Sequence, residues 1–451
     1  MKLRKSVFKS PTKNYFLALI GIFFGTVVLA QQTQQISLAD AVQLGIKNSN
    51  QLKLAQAKVA VAVAKANEDK DYTLPNAKLG ASYARYDVVS PFQLITSGSS
   101  TPLFALNPQV FSSYMGSASV SEGLFNGFKL KYLRQSADYL QQAAKADVDK
   151  DKNDLIFSIV EAYYNIYKME STKKLIAQSL DQTAQHVKEV QDFLNQGLAT
   201  SNDLLKVELQ QSDIQLSEMD VENSLKIIRY NFNLMIGLPD STNIVIDTNI
   251  IASAKTISPF ATCLQNAIDG RSELKSAALQ MQAAQANIGM IKSDYYPAVG
   301  VGLGYNYINP TSDFVPPTDQ FISAWNVGLN VSYNLASLYT TKNKLDEAKA
   351  QIDALQAGQD ELSNSIKMEV NASFVEYQQT QEKINVLEKS VAQAVENDRI
   401  VKSKFDNHIA LLSDLLDADV ALYQTKIALT NEQADAEIAY NKLLKSIGKT
   451  K

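Results

Sequence analysis

The residues best suited to chemistry in this 451-residue chain are two aspartates three positions apart, Asp414 and Asp417. Residues three apart on an α-helix share a face, so both carboxylates would point the same way. A helix cap is the alternative for Asp414, and also for Asp203 in a similar segment, because carboxylates are stabilised at helix N-termini. Asp417 lies too far along the helix for that explanation.

The chain offers little else for catalysis or metal binding. His186 and His408 have no nearby cluster of cysteine or acidic residues at metal-ligand spacing, so we expect both to be solvated surface residues. The sequence contains no glycine-rich phosphate loop and no nucleophile motif. Cys263 is the only cysteine, which leaves no disulfide partner and no thiolate metal site. We therefore expect neither an enzyme nor a cofactor or metal requirement.

The N-terminus has the pattern of a secretory signal peptide over residues 1–30. An apolar run from Phe16 to Ala30 ends in Val28-Leu29-Ala30, a small-x-small cleavage pattern, and follows five cations: Lys2, Arg4, Lys5, Lys9 and Lys13. An uncleaved N-terminal helix is the alternative. Beyond residue 30 no apolar run approaches 18 residues, so we expect no transmembrane helix. The net charge of −4 becomes more negative without the signal peptide, which makes nucleic acid an unfavourable partner.

Long helices are predicted by where helix breakers are missing. No proline lies between Pro108 and Pro239, and Gly197 is the only glycine between Gly127 and Gly237. Because proline costs a helix interior about 3 kcal/mol and glycine about 1 kcal/mol, their absence is informative. Apolar residues step by three or four along these segments as narrow seams, which is typical of coiled-coil packing. We expect a helix of roughly 100 Å from about Lys129 to Gln196.

The chain is an internal duplication. A shift of 222 residues places Leu52-Lys53 on Leu274-Lys275, and a shift of 211 places Asp203-Leu204-Leu205 on Asp414-Leu415-Leu416. We divide the chain into a first repeat at 31–239, a connector at 240–260 and a second repeat at 261–451. Each repeat should contain a helix, two strands, a very long helix, a turn and a final helix.

The predicted strands alternate between apolar and small polar residues, which is typical of transmembrane β-strands with aromatic residues near their ends. A solvated hairpin is the alternative. Four strands cannot close a barrel, and open edges are too costly in hydrocarbon, so the protomer must oligomerise. The residues expected to face lipid are Tyr83, Tyr114, Val301, Leu303, Tyr305, Tyr307, Trp325, Val327, Leu329, Val331 and Tyr333.

Several short motifs follow one another along the chain: Leu38-Ala39-Asp40-Ala41-Val42 with Asn50 and Leu52, Leu74-Pro75, Leu124-Phe125-Asn126-Gly127, Gly197-Leu198-Ala199-Thr200 with Asp203-Leu204-Leu205, and Ile236-Gly237-Leu238-Pro239. In this order they resemble the TolC-type outer-membrane efflux family over nearly the whole exported chain. The resemblance implies a mainly α fold with a small β-barrel contribution. In a homotrimer the four strands of each protomer would form a twelve-stranded barrel in outer-membrane lipid, above a periplasmic α-barrel of antiparallel coiled coils.

The resemblance also implies an exit duct for efflux or type I secretion that works with a periplasmic adaptor and an inner-membrane pump of RND, ABC or MFS type. Asp414 and Asp417 would line the pore as a gate or selectivity ring. Phe405 lies where the family often has a tyrosine that locks the closed tip. Contacts with the adaptor would come from the tip turns: Gly197, Leu198, Ala199, Thr200, Asp203, His408, Leu411 and Leu412. Since His408 replaces an expected glycine, we expect the second turn to differ from the first.

A soluble periplasmic helical scaffold or adaptor protein is the alternative function. Such a protein would also have a signal peptide and coiled-coil helices. The alternating strands separate the two hypotheses, because an adaptor has no reason to expose an apolar β-face.

Overall fold

The computed structural model describes residues 34–87, 92–94, 96–98, 100–101, 104–106, 110–240, 242–246, 255–309 and 320–450. The predicted signal peptide at residues 1–30 and much of the connector lie outside these residues. In chain order the elements are β1 (Gln34–Ile36), α1 (Leu38–Asn48), α2 (Asn50–Asp71), β2 (Asn76–Asp87), β3 (Phe92–Leu94), β4 (Phe104–Leu106), β5 (Val110–Phe125), α3 (Lys129–Asn195), α4 (Ser201–Ile236), β6 (Ile244–Ile246), α5 (Phe260–Gly270), α6 (Ser272–Lys292), a 3-10 turn (Ser293–Tyr295), β7 (Ala298–Asn309), β8 (Ile322–Ser332), α7 (Ser337–Asp406) and α8 (Leu412–Ser446).

The tandem repeat is confirmed in the element order. Helices α3 and α7 contain 67 and 70 residues, and α4 and α8 contain 36 and 35. At 1.5 Å per residue, α3 is about 100 Å long, as its lack of breakers predicted. Even the interruption of the opening helix is repeated, since Ser49 separates α1 from α2 and Arg271 separates α5 from α6.

The main hydrophobic core lies at the middle of α3 and surrounds Tyr163, which is fully buried. The ring of Tyr163 lies 6.3 Å from that of Phe232 on α4, centroid to centroid. Strands β1 and β6 pair in parallel and bring Ile36 and Ile244 into this core. The Tyr163 hydroxyl donates to the carbonyl oxygen of Ile36 over 3.2 Å. The start of the described chain is therefore fastened to the connector at the level of the core.

Strands β2, β5, β7 and β8 form one antiparallel sheet in that order. Its central pair, β5 and β7, joins the first repeat to the second, with a bulge between Gly123 and Phe125. Strands β3 and β4 pair separately. Strands β2 and β8 are therefore the two edges of the larger sheet.

The long helices beyond the core lie side by side. Helix α3 packs against both α4 and α8, α8 packs mainly against α7, and α4 has little contact with α8. The lateral order is consequently α4, α3, α8, α7, with α4 and α7 outermost. These helices form two hairpins, α3–α4 and α7–α8, whose turns lie at the end farthest from the sheet.

Candidate functional site

One candidate functional surface is the apolar face of the four-stranded sheet. The register aligns Leu79, Ala118, Tyr305 and Trp325 in one row across all four strands. Trp325 is 71% exposed and Leu329 is 74% exposed, although side chains of this size are usually covered by the protein. The other residues predicted for this face are also exposed, except Val301, which is half-buried.

The opposite face of the sheet carries mostly small and polar side chains, apart from a row of Met115, Ile308 and Ile322 at its distal end. Ser117, Gly304 and Asn326 occupy it on neighbouring strands, as the alternation of the sequence predicted. A sheet with two apolar faces would be buried on both sides. Here one face suits contact with water and the other does not. This difference is what a strand between a lumen and lipid requires.

Aromatic residues cluster at both ends of the apolar face. Tyr83 and Tyr114 lie 5.0 Å apart at the distal end, where Tyr307 also stacks on Phe321 at 4.8 Å between centroids. Phe125 contacts Phe128 and Tyr296 edge-on at the end near the helices.

Phe125 pairs with Val299, eight residues before Tyr307 on β7. At about 3.4 Å per residue the two aromatic groups are therefore about 27 Å apart. This spacing is close to the apolar band of about 25 Å, bounded by aromatic girdles, of transmembrane barrels.

A second candidate surface is formed by the two helix turns at the other end of the molecule. Gly197 has a φ of 73°, which ends α3 in the left-handed conformation. Helix α4 then begins with a capping box. The Thr200 hydroxyl accepts from the Asp203 N–H over 3.2 Å, and the Asp203 carboxylate accepts from the Thr200 N–H over 3.1 Å. The Thr200 hydroxyl also donates to the Asp203 carboxylate over 2.7 Å, and this hydrogen bond, followed by the one from the Thr200 N–H, lowers the pKa of Asp203.

The backbone of the second turn has the same geometry as that of the first, and the predicted difference is found only in the cap, because Leu411 has no side-chain acceptor where Thr200 caps α4. His408 has a φ of 60°, and the Ile409 N–H donates to the Lys404 carbonyl oxygen over 2.8 Å. The corresponding hydrogen bond in the first turn joins Leu198 to Phe193, also over 2.8 Å. A histidine can occupy the left-handed conformation at a modest energetic cost, and its ring contacts Phe193 at 5.1 Å between centroids.

The two turns are held together by an apolar cluster that includes Phe405, which is 8% exposed. Its ring lies 6.0 Å from that of Phe193 on the other hairpin. The other buried members are Val190, Val207, Leu412 and Leu415. A tyrosine hydroxyl at position 405 would therefore have to be accommodated within or beside a packed interface. Phe405 joins the hairpins by packing.

Asp414 and Asp417 lie on the exposed side of α8, while Leu412, Leu415 and Ala418 on the same helix are buried. The Asp414 carboxylate accepts from the Leu411 N–H over 3.1 Å, which is the capping contact considered from the sequence. Asp417 makes no such contact at the helix start. Leu198 and Leu411, one from each turn, are 61% and 69% exposed.

His186 is the residue that sequence reasoning placed wrongly. It is 2% exposed, between α3 and α8, whereas His408 is exposed as expected. Its ring nitrogens face Glu189 at 3.1 Å and Asp419 at 3.0 Å. Glu189 could have been found as a neighbour three residues along the same helix, but Asp419 belongs to the other repeat and no local pattern points to it.

Among the residues that the structure describes, no helix has a stretch that is long and apolar enough to cross a membrane. Over the same residues, no group of three or more histidine, cysteine or acidic side chains is arranged to hold a metal ion.

The fold, the two-faced strands and the long helix hairpins together are features of channels of the bacterial outer membrane. The outer membrane efflux protein family matches residues 41–238 and 263–449, one segment in each repeat, and the chain belongs to this family. It is a family of channels rather than enzymes.

Particular relatives agree with this assignment. The chain is 22% identical over 298 residues to the outer membrane protein TolC of Vibrio cholerae serotype O1, which covers 65% of this chain and 67% of that protein. The fold is similar to that of the outer-membrane channel OprN, with a TM-score of 0.76, 17% identity and coverage of 91% and 90%. VceC from Vibrio cholerae gives a TM-score of 0.75 with 18% identity, covering 91% of this chain and 96% of that one. The open state of Neisseria gonorrhoeae MtrE gives 0.71 with 17% identity, covering 91% and 88%.

Proposed function

We propose that three copies of this chain form an outer-membrane exit duct for a tripartite efflux or type I secretion system. The duct conducts substrate passively from a periplasmic adaptor and an inner-membrane pump to the outside. Its sheets form a twelve-stranded barrel in the outer membrane, and its helices form a periplasmic tunnel. The membership in a family of outer membrane efflux proteins supports the transport role.

The observation that carries this proposal is a sheet with one exposed apolar face and two unpaired edges. Within the described residues, β2 pairs only with β5, and β8 only with β7. Unpaired backbone groups cost several kcal/mol each in hydrocarbon, so the edges of one copy need the edges of another. Closure by β8 of one copy against β2 of the next removes every edge, and three copies supply twelve strands.

The outermost helices support the same assembly. Helix α4 exposes a seam of apolar residues with coiled-coil spacing, and α7 exposes apolar residues along the same half of the molecule. The seam on α4 contains Leu205, Leu209, Leu216 and Met219, and α7 contributes Val386, Val395 and Ile400. Since α4 and α7 form opposite sides of the protomer, α4 of one copy can cover α7 of the next.

The gate is assigned to the two turns and to the start of α8. Asp414 and Asp417 are exposed on one face, and three copies would bring six carboxylates to the narrow end of the tunnel. Such a ring focuses negative potential and favours cations. The exposed Leu198 and Leu411 offer the adaptor an apolar contact on each turn.

Two measurements on the full-length protein test this function. Gradient fractionation of cell envelopes should place it in the outer membrane, and the purified assembly should give small cation-selective conductances in planar bilayers. A periplasmic scaffold would be released with the soluble contents of the envelope and would give no conductance. That pair of results would overturn the proposal.

A further inference from the structure

His186 joins the two hairpins above the tip turns. It lies on α3 about 16 Å from the turn at Gly197, at 1.5 Å per residue. Its Nδ1 is 3.1 Å from Glu189 Oε2 on the same helix, and its Nε2 is 3.0 Å from Asp419 Oδ2 on α8. An imidazole can donate from both nitrogens only when it is protonated. Both carboxylates lie at ion-pair distance from the buried ring, and the contact from Nε2 to Asp419 lacks hydrogen-bond geometry, so the arrangement fits an imidazolium ion held largely by charge.

The Asp419 carboxylate has neighbours besides His186, on α3 and on α7. Its Oδ1 accepts from Gln182 Nε2 over 2.6 Å. Asp398 Oδ1 on α7 and Asp419 Oδ2 are both buried and without a hydrogen-bond partner among the described residues, and Asp419 acts on the pKa of Asp398, so the cluster spans α3, α8 and α7. Burial and then the hydrogen bond and charge of Asp419 raise the pKa of Asp398 to about 6. When both aspartates are ionised they repel, whereas one shared proton converts this repulsion into a hydrogen bond.

Other charged groups surround the cluster. Lys402 on α7 and Lys426 on α8 lower the pKa of Asp398, but the upward effects of burial and of Asp419 are larger. Asp213 on α4 lines a cavity that also includes Asp419, so it adds negative charge on that side. The cluster thus contains one histidine, two coupled aspartates and nearby charges of both signs on four helices.

We propose that His186, Asp419 and Asp398 form a proton-dependent tie between the α3–α4 and α7–α8 hairpins, strongest in mild acid and weaker as the pH rises. Deprotonation of His186 removes a donor to one of its carboxylate neighbours. Deprotonation of Asp398 removes the donor to Asp419 and adds a like charge. Both events weaken the tie as the pH rises. Separation of the two hairpins near their turns must break these contacts.

The pKa shifts agree with this direction. Burial lowers the pKa of His186, but the hydrogen bonds to Asp419 and Glu189 outweigh it, and the net shift is upward. The stability contributed by such a histidine is fully present below its unfolded pKa and is lost as the pH rises through the folded pKa. Asp398 has a folded pKa of about 6 against an ordinary value of 3.8, so its destabilising effect develops as the pH rises between these values, is complete above about pH 6 and disappears on acidification.

Hydrogen exchange on the full-length assembly in detergent tests the tie without any transport assay. Amide protection, corrected for the intrinsic effect of pH, is measured at pH 5 and pH 8 in peptides covering residues 179–190 and 412–424. A tenfold change corresponds to one pKa unit, and partial exposure of Asp398 screens its larger shift, so we expect a loss of about tenfold at pH 8 in the wild type. Asp398→Asn, which resembles the protonated carboxyl group, should retain more protection at pH 8.

His186→Gln should have low protection at both pH values, while the exposed His408→Gln should keep the wild-type profile. Peptides around Tyr163 provide an internal control that should not depend on this cluster. A wild-type profile with no pH dependence, or the same profile in wild type and Asp398→Asn, would overturn the tie. Should His186→Gln fail to fold, Asp398→Asn still decides the question. Any role of the tie in gating rests on the proposed function. Hydrogen exchange does not require conductance, so failure of the tie is distinguishable from failure of the channel.

Discussion

Gly197 and His408 lie 211 residues apart and have the same left-handed backbone conformation, with φ values of 73° and 60°. Each ends a long helix and is followed by a residue whose N–H donates back into that helix over 2.8 Å. The duplicated chain has thus kept the turn geometry while changing the residue. Glycine adopts this conformation freely, whereas a residue with a Cβ is strained by roughly 1–2 kcal/mol.

This difference predicts opposite effects of two substitutions on stability. Gly197→Ala should lower the free energy of unfolding by about 1 kcal/mol, because it adds a Cβ at positive φ. His408→Gly should leave stability unchanged or raise it, since relief of strain offsets the lost contact with Phe193. Thermal unfolding of both variants in one detergent measures the effects. A loss in His408→Gly as large as in Gly197→Ala would mean that the ring contact is worth more than the strain.

The two faces of β8 predict a contrast between adjacent residues. Leu329→Arg or Val331→Arg should reduce assembly by roughly 2–4 kcal/mol if the residue lies near the bilayer midplane. Asn330→Arg, on the opposite face, should be tolerated because a lumen can hydrate the charge. The yield of heat-modifiable assembly in outer membranes measures this. Equal yields for the three variants would show that the faces are wrongly assigned.

Local patterns in the sequence were sufficient for most of the fold. Missing prolines and glycines predicted α3, the repeat predicted its counterpart α7, and the alternation around Trp325 predicted a strand with two different faces. The repeat predicted where the second tip turn lies, whereas the match between the two turn backbones was not predicted. These features depend on residues close together in the chain, where sequence spacing determines which side chains share a face.

The surroundings of His186 could not be predicted in the same way. Its partner Asp419 lies on α8 and Asp398, which acts on Asp419, lies on α7, so both come from the other repeat, more than 200 residues away in the chain. Which faces of long polar helices meet depends on packing along their whole length, and charged residues occur on all of them. The polar surroundings of His186 in the sequence therefore suggested solvent, while the fold buries its ring against the partly exposed carboxylates of Glu189 and Asp419.

The exposed leucines of the turns predict a docking phenotype. Leu198→Glu and Leu411→Glu should abolish efflux while assembly is retained, because each places a charge where an apolar contact with the adaptor is proposed. Leu198→Met and Leu411→Met are the matched controls and should keep efflux, since they preserve apolar area. Drug or substrate export from cells and the yield of assembly are measured together. Full export by both glutamate variants would move the docking site elsewhere.

Asp414 and Asp417 predict a measurable ion selectivity. Replacement of both by asparagine should reduce cation selectivity in planar bilayers and remove any block by periplasmic trivalent cations, since it removes six charges from three copies. Asp414→Asn alone should preserve the cap, because an amide oxygen can accept from the Leu411 N–H as the carboxylate does. The reversal potential in a salt gradient measures the effect. An unchanged value in the double variant would leave Asp414 as a capping residue only and remove Asp417 from the gate.

The number of chains in the assembly tests the central claim most directly. Native mass spectrometry of the protein extracted from outer membranes in mild detergent, with light scattering as an independent measure of mass, gives this number. Because the protomer has two unpaired sheet edges and two uncovered outer helices, we predict a complex of three chains. A folded, stable monomer with the same β-sheet content would contradict the proposed channel.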